Sequence, residues 1–252
     1  VSTTVKSLKW YRELTERKGR SKNGAFLVEG DKAIRQVMAG YPDKITEILA
    51  VEGSPPKYHN YPVRMVTASQ FRYISNTQTP QGIAAVVGIP EDIYSPSLPP
   101  DTGSRVLLLE DIQDPGNTGT LIRTAAALNY SGVILTENSA DPLSPKCVQA
   151  TAGTVLSVWL RRTANYLELV KSLQEKKYAV IAADVQGADG PSVMSGQEKL
   201  VLALGNEGAG LSQEILGMAD YRVRIPVAQD KAESLNVAAS GSILMYLSSQ
   251  QQ

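Results

Sequence analysis

Three short stretches of this chain combine asparagine, glycine, serine and charge in ways that suit the binding of an anion or a cofactor. The first is Asp114-Pro115-Gly116-Asn117-Thr118-Gly119-Thr120, which opens an apolar helical stretch, with Arg123 six residues after Asn117. A glycine turn entering a helix presents free backbone N–H groups to an anion, and a guanidinium adds a fork-shaped charge suited to phosphate. The second is Leu204-Gly205-Asn206-Glu207-Gly208-Ala209-Gly210-Leu211-Ser212. Its spacing is G-x-x-G-x-G, not the G-x-G-x-x-G of dinucleotide sites, and it falls late in the chain. A cofactor loop fits; a nicotinamide cofactor is disfavoured. The third is Ser234-Leu235-Asn236-Val237-Ala238-Ala239-Ser240, which opens the last helix, with Ser234 expected as its N-cap. Each stretch alone is also compatible with an ordinary capped helix or a solvent-facing turn.

The elements that must position these stretches alternate along the chain. In the second half, Val106–Glu110, Gly132–Thr136, Ala179–Ala183, Leu200–Leu204 and Tyr221–Val227 read as strands with helical segments between them. Continuous apolar strands alternating with helices predict a parallel sheet covered on both faces. In such sheets ligands bind beyond the carboxyl ends of the strands, which is where all three stretches lie. The first half reads as a smaller α/β domain. Its expected strands are Ala25–Val28, Ile45–Val51, Pro62–Val66 and Gln81–Val87, with helices over Asp31–Ala39 and Thr67–Ile74. Between the halves, Pro90, Pro96, Pro99 and Pro100 sit among polar residues, and proline density of this kind ends regular structure and stiffens a linker. The expected division is therefore residues 1–89, a linker over 90–104, and residues 105–252.

Composition excludes several classes. The chain has 252 residues, 42% hydrophobic and 20% charged, and a net charge of zero, as expected of an ordinary soluble globular protein. The charge is uneven: residues 1–100 hold 13 Lys/Arg against 9 Asp/Glu, and residues 101–252 hold 12 against 16. One cysteine, Cys147, and one histidine, His59, leave no intrachain disulfide and no cysteine- or histidine-rich metal site, so no metal is expected. Cys147 has no histidine in its half of the chain to activate it and is expected to be buried and structural. No apolar run approaches the ~20 residues that span a bilayer, and the basic start lacks the apolar core of a secretory signal; cytoplasmic residence is the default. Neither a P-loop nor a G-x-S-x-G elbow is present. The basic start carries Lys6, Lys9, Arg12, Arg17, Lys18, Arg20 and Lys22, with a helix expected to carry this charge up to Gly19. It reads equally as a solvated helix face and as a footprint for nucleic acid, with Trp10 and Tyr11 either stacking on bases or packing in the core.

Taken in order, Asn117-x-Gly119-x3-Arg123, Gly205-Asn206-Glu207-Gly208-Ala209-Gly210 and Ile225-Pro226…Ser234-Leu235-Asn236-Val237 resemble the three motifs of the SpoU/TrmH family. These are RNA ribose 2′-O-methyltransferases of the SPOUT superfamily. Phe26-Leu27-Val28-Glu29-Gly30 and the strand from Ile83 to Val87 resemble the small ribosomal-protein-like RNA-binding domain that many members carry. The resemblance implies an α/β fold whose C-terminal SPOUT domain holds a deep trefoil knot, with S-adenosylmethionine bent in the knot. It implies cofactor binding by Gly205, Asn206, Gly208, Ile225, Leu235 and Asn236, and catalytic roles for Asn117, Arg123, Glu207, Ser234 and Asn236. It further implies a homodimer acting on RNA, with 23S-type ribosomal RNA expected over transfer RNA because of the two-domain layout. A catalytically inactive RNA-binding relative is the alternative from another class. In the family the first-motif arginine is proposed as the base that takes the ribose proton. A free arginine has a pKa above ~12, so Arg123 as base and Arg123 as phosphate clamp both stay open. One departure is that many members continue the third motif as Asn-Val-Ser, where this chain has Asn236-Val237-Ala238.

Overall fold

The computed structural model describes residues 6–52, 58, 60–90, 92–228, 230–231 and 234–250. The chain forms two compact units, Val1–Pro90 with Asp141–Leu156, and Glu91–Ala140 with Ser157–Gln252.

The first unit is built on a four-stranded sheet. In chain order its elements are α1 (Leu8–Glu13), α2 (Arg17–Asn23), β1 (Ala25–Glu29), α3 (Asp31–Gly40), β2 (Ile45–Val51), β3 (Val63–Val66), α4 (Ala68–Ile74) and β4 (Ile83–Gly88). The strand order is β1-β4-β2-β3, with β4 antiparallel to both neighbours and β2–β3 parallel. Thr67 closes a capping box with Gln70 at the start of α4, which fixes that helix where its sequence begins to alternate at helical spacing. The basic start differs from the expected single helix: it breaks after Glu13, and Gly19 lies inside α2 instead of ending a helix. A Cβ on Gly19 would lie 1.9 Å from the Glu13 carbonyl oxygen, so this glycine lets two helical segments touch. The stop signal is Gly24, whose φ of 60° is the left-handed C-cap conformation.

The second unit carries β5 (Arg105–Leu109), α5 (Pro115–Ala127) and β6 (Gly132–Leu135), after which the chain contributes α6 (Pro145–Thr151) to the first unit. It continues with β7 (Trp159–Arg162), α7 (Tyr166–Glu175), β8 (Ala179–Ala183), β9 (Leu200–Leu204), α8 (Gln213–Met218), β10 (Tyr221–Val223) and α9 (Val237–Ser249). All six strands run parallel in the order β10-β8-β9-β5-β6-β7. Their nearly unbroken apolar runs follow from burial on both faces. The chain leaves β5 toward β6 and β7, then returns to β8 and β9 on the other side, so β5 and β9 flank a topological switch point. Leu109 pairs with Leu204, and the first two motifs therefore leave the sheet side by side.

Two strands of the second unit also depart from the sequence reading. β7, Trp-Leu-Arg-Arg, is not among the strands expected from the sequence. Arg161 and Arg162 are buried, and Arg161 donates from Nε to the Ser97 carbonyl at 2.6 Å and pairs with Asp92 at 2.8 Å. The last strand ends at Val223, short of the expected Val227; Pro226 has no N–H to give a ladder. The proline-rich segment is packed on the second unit, with Ile93 buried and Thr102 accepting from the Tyr178 hydroxyl at 2.9 Å.

Candidate active site

Side chains from all three motifs meet in one directed chain of hydrogen bonds. Asn236, not Ser234, is the N-cap of α9: its Oδ1 accepts from the N–H groups of Ala238 and Ala239 at 2.9 and 3.3 Å. Those donors are unambiguous, so the other end of the Asn236 amide must be its NH2 group. That group donates to Oδ1 of Asn117 at 3.3 Å, and Nδ2 of Asn117 donates to Oε1 of Glu207 at 2.8 Å. Each amide is thus used at both ends, and the chain terminates on a carboxylate that can only accept when ionised. Asn117 is itself fixed by helix geometry, because Asp114 caps α5 by accepting from the Asn117 N–H at 2.9 Å. Asn236 can reach it because α9 lies close to α5 and β9. A Cβ on Gly241 would sit 2.5 Å from side-chain atoms of both Leu121 and Leu204.

The glycine-rich loop that carries Glu207 is folded by its own asparagine. Oδ1 of Asn206 accepts from Gly208 and Ala209, and Nδ2 donates to the Asp111 carbonyl at 2.9 Å. The Gly210 N–H returns to the Asn206 carbonyl, with Gly210 at a φ of 73°. Gly205 has no room for a side chain: a Cβ there would lie 2.3–2.4 Å from backbone atoms of Gly210 and Leu211.

Beside this group lies a cleft of about 490 Å3, lined by residues 183–185 at the end of β8, residues 223–227 at the end of β10, and Ser234, Leu235, Ser240 and Leu244. Ile225 and Leu235 are both in its lining, as is the exposed Ser234, which stands one residue from Leu235 and outside the Asn117–Asn236–Glu207 chain. Gly205, Asn206 and Gly208 are not among the lining residues; they shape the adjacent loop. Arg123 is exposed on α5. Six residues on from Asn117 it stands about 9 Å along the helix and about 120° around it, and it takes no part in the hydrogen-bonded chain. Residues that sequence reasoning missed are Glu110 and Asp111, which hold the glycine loop from the end of β5. The only signal for them was acidity at the end of an apolar strand; the left-handed backbone of Asp111, φ 57°, has no sequence mark.

The basic start is not one uniform surface. Lys9, Arg17, Lys18 and Lys22 are exposed. Lys6 lies 4.1 Å over the Trp10 ring and Arg12 donates to the Ser75 carbonyl at 3.0 Å. Arg20 does not belong to an RNA-facing set. It is 2% exposed, bonds Oδ2 of Asp141 at 2.6 Å, and donates to the carbonyls of Leu14 and Thr15. A guanidinium so occupied is a buried brace within the first unit. Tyr11 is fully buried and donates to Glu47, while Trp10 is half-buried. Cys147 is buried, and His59 lies outside the described residues. Among the described residues no group of three or more His, Cys, Asp or Glu side chains is placed to hold a metal ion, and no helix is long and apolar enough to cross a membrane.

A parallel α/β unit with three motif turns gathered beside a cleft defines a class that comparison with known proteins identifies. Residues 104–246 match the SpoU rRNA Methylase family, and residues 4–85 match the MRM3-like substrate binding domain. The chain belongs to the SpoU rRNA methylase family. It is 31% identical to the 23S rRNA (guanosine(2553)-2'-O)-methyltransferase RlmP of Bacillus subtilis (strain 168), over 97% of this chain and 96% of that protein. Among solved structures, a TrmH-family protein from Porphyromonas gingivalis superposes with a TM-score of 0.82 at 30% identity, covering 98% of each chain. An AdoMet-bound rRNA methyltransferase from Sinorhizobium meliloti superposes with a TM-score of 0.82 at 28% identity, covering 96% of this chain and 93% of that one. The second unit thus has the SPOUT fold, joined to a smaller N-terminal α/β unit.

Proposed function

We propose that this protein transfers a methyl group from S-adenosylmethionine to a ribose 2′-hydroxyl of 23S-type ribosomal RNA. The observation that carries this reading is the convergence of Asn117, Asn236 and Glu207 one residue from the cleft-lining Leu235. The cleft fits the cofactor: its volume lies within the ~300–1,000 Å3 of small-molecule sites, and Val223, Ile225, Leu235 and Leu244 offer apolar walls to a nucleoside. Ile225, Leu235 and the backbone of residues 223–227 would hold it, with the Gly205–Gly208 loop alongside. When bound, it supplies a methyl group on a sulfonium, already activated toward attack by an oxygen nucleophile.

The protein's own task is then alignment, an effect that can be worth ~7–11 kcal/mol of barrier. The Asn117–Asn236 pair fixes two helix starts against each other, and Glu207 offers an acceptor for a ribose hydroxyl. The hydroxyl must also lose its proton, a step for which a positioned base contributes about 10²–10⁴-fold. We assign that proton to the Glu207 carboxylate, of which Asn117 takes Oε1 alone. Arg123, exposed on the same helix as Asn117, is the residue we assign to the substrate phosphate and to developing charge; Ser234 stands ready at the cleft for a polar contact.

Several features accompany this reading as proposals. Residues 1–89 bind the RNA substrate, with Lys9, Arg17, Lys18 and Lys22 as its exposed cations and Lys6 and Arg12 in support; residues 90–104 join it to the catalytic residues 105–252. The C-terminal domain forms a trefoil knot around the cofactor cleft. The exposed Ile243, Tyr246 and Leu247 of α9 are suited to a homodimer contact. The cytoplasm is the compartment. A transfer-RNA substrate is the second reading of the same site; an inactive relative is opposed by the assembled polar chain.

The test is methyl transfer from labelled S-adenosylmethionine onto size-fractionated RNA from cells lacking this protein. Label is expected in the large ribosomal RNA, falling about 10²-fold or more with Asn117→Ala. Arg123→Lys is expected to keep partial activity, because the charge remains while the fork is lost. Label confined to the transfer-RNA fraction would reassign the substrate. A wild-type protein that labels no fraction would sink the reading.

A further inference from the structure

Glu110 sits at the end of β5, is 4% exposed, and belongs to none of the three motifs. A buried carboxylate is costly unless its oxygens are occupied, and here both are. Oε2 accepts from the Ser212 N–H at 2.8 Å; Oε1 accepts from the Ser212 hydroxyl at 2.7 Å and from the Tyr166 hydroxyl at 2.6 Å. Ser212 is where the glycine-rich loop ends and α8 begins, and its hydroxyl also accepts from the Ile215 N–H as the helix cap. The other end of the loop is held by the next residue along: the Asp111 carbonyl accepts from Nδ2 of Asn206. Asp111 can aim that carbonyl because its backbone is left-handed, and Thr136 and Asn138 occupy its two carboxylate oxygens at 2.6 and 3.2 Å. Residues 110 and 111 therefore grip the segment 206–212 at both ends. Glu207 lies between the two grips.

We propose that Glu110 is a positioning residue for methyl transfer, setting the place of Glu207 by clamping the far end of the glycine loop through Ser212. Glu110 touches neither the cleft lining nor the Asn117–Glu207 contact, so its effect on the reaction passes through the loop. The proposal rests on the methyltransferase reading only for its kinetic consequence; the clamp itself is a property of the fold.

Two measurements on the full chain test it. The first is amide hydrogen exchange in peptides covering 205–212, which needs neither RNA nor turnover. Glu110→Ala is expected to speed exchange there by about tenfold or more while leaving the peptides of β6 and β8 unchanged. Tyr166→Phe, which removes the third hydrogen bond but spares Ser212, is expected to leave the loop at the wild-type rate. The second is kinetic. Glu110→Ala should lower kcat by about tenfold and change the KM for S-adenosylmethionine by less than about threefold. In a Glu207→Ala background it should cost little more, because both changes remove the same group from its place. If Glu110→Ala does not fold, Glu110→Gln serves, since an amide can accept from the Ser212 N–H but must turn its NH2 toward hydroxyls that now donate. Wild-type exchange over 205–212 in the folded variant would overturn the clamp. So would losses that multiply in the Glu110→Ala, Glu207→Ala double variant. A wild-type protein without methyl transfer would instead refute the reaction assigned above, and the exchange result would still decide the clamp.

Discussion

At the scale of single residues, the structure shows polar side chains used at both ends and tyrosines held neutral. The Asn236 and Asn117 amides can each be oriented only one way, because a backbone cap at one end and a carboxylate at the other fix the direction of every donor. Burial raises the phenols of Tyr11, in the first unit, and Tyr130, in the second, from 10 to about 12; Tyr58 and Tyr166 are raised as well, by burial and then by hydrogen bonds to Asp31 and Glu110. A tyrosine whose folded pKa exceeds its unfolded value is neutral in the fold while the unfolded chain ionises. Its contribution is fully present below pH 10 and is lost as pH rises toward about 12. Stability to urea should therefore fall over that window, by at most about 1.4 kcal/mol per pH unit for each such phenol. Tyr130→Phe should make the alkaline decline shallower. An alkaline limb identical in the variant would mean that Tyr130 ionises freely in the fold.

At the scale of elements, two glycines do different work at similar distances. The atoms that a Cβ on Gly205 would meet are backbone atoms of Gly210 and Leu211, which cannot turn aside without opening the loop. Those facing Gly241 are tips of the Leu121 and Leu204 side chains, which can shift rotamer. Gly205→Ala should therefore cost about 1–3 kcal/mol of stability together with most methyl transfer, whereas Gly241→Ala should keep activity and lose less stability. Thermal denaturation beside the labelled-methyl assay would check this, and equal behaviour of the two variants would show that the loop has slack. The same distinction explains a misreading at the N-terminus. Gly19 looks like a helix stop in one dimension, yet it is a point of close contact between α1 and α2.

At the scale of the molecule, zero net charge means that affinity for RNA has to come from local cations. Each phosphate neutralised contributes about 0.7–0.9 to the slope of log affinity against log salt. Replacing Lys9, Arg17, Lys18 and Lys22 by glutamine should flatten that slope by about 3. Arg20→Gln should leave the slope alone and instead cost about 3–5 kcal/mol of stability, since it strands Asp141. A salt series of RNA binding with a melting curve separates the two outcomes. An unchanged slope in the fourfold variant would move the RNA footprint elsewhere.

Much was legible in the sequence because it is written in local pattern. Apolar runs of strand length with proline and glycine punctuation were enough to set out an α/β protein with a parallel sheet, and the resemblance of three motifs to a known family pointed to Asn117, Glu207 and Asn236 among its site residues. What they could not contain was distance. That Asn236 caps α9 and turns its amide to Asn117, 119 positions away, depends on the return of the last helix against α5. That Arg20 is a brace, that Arg161 and Arg162 lie in a strand, and that residues 141–156 join the first unit all depend on partners remote in sequence. A charged side chain reads the same in a sequence whether it meets water or a buried carboxylate. Only the fold, by choosing its neighbours and its solvent exposure, decides which of the two it is.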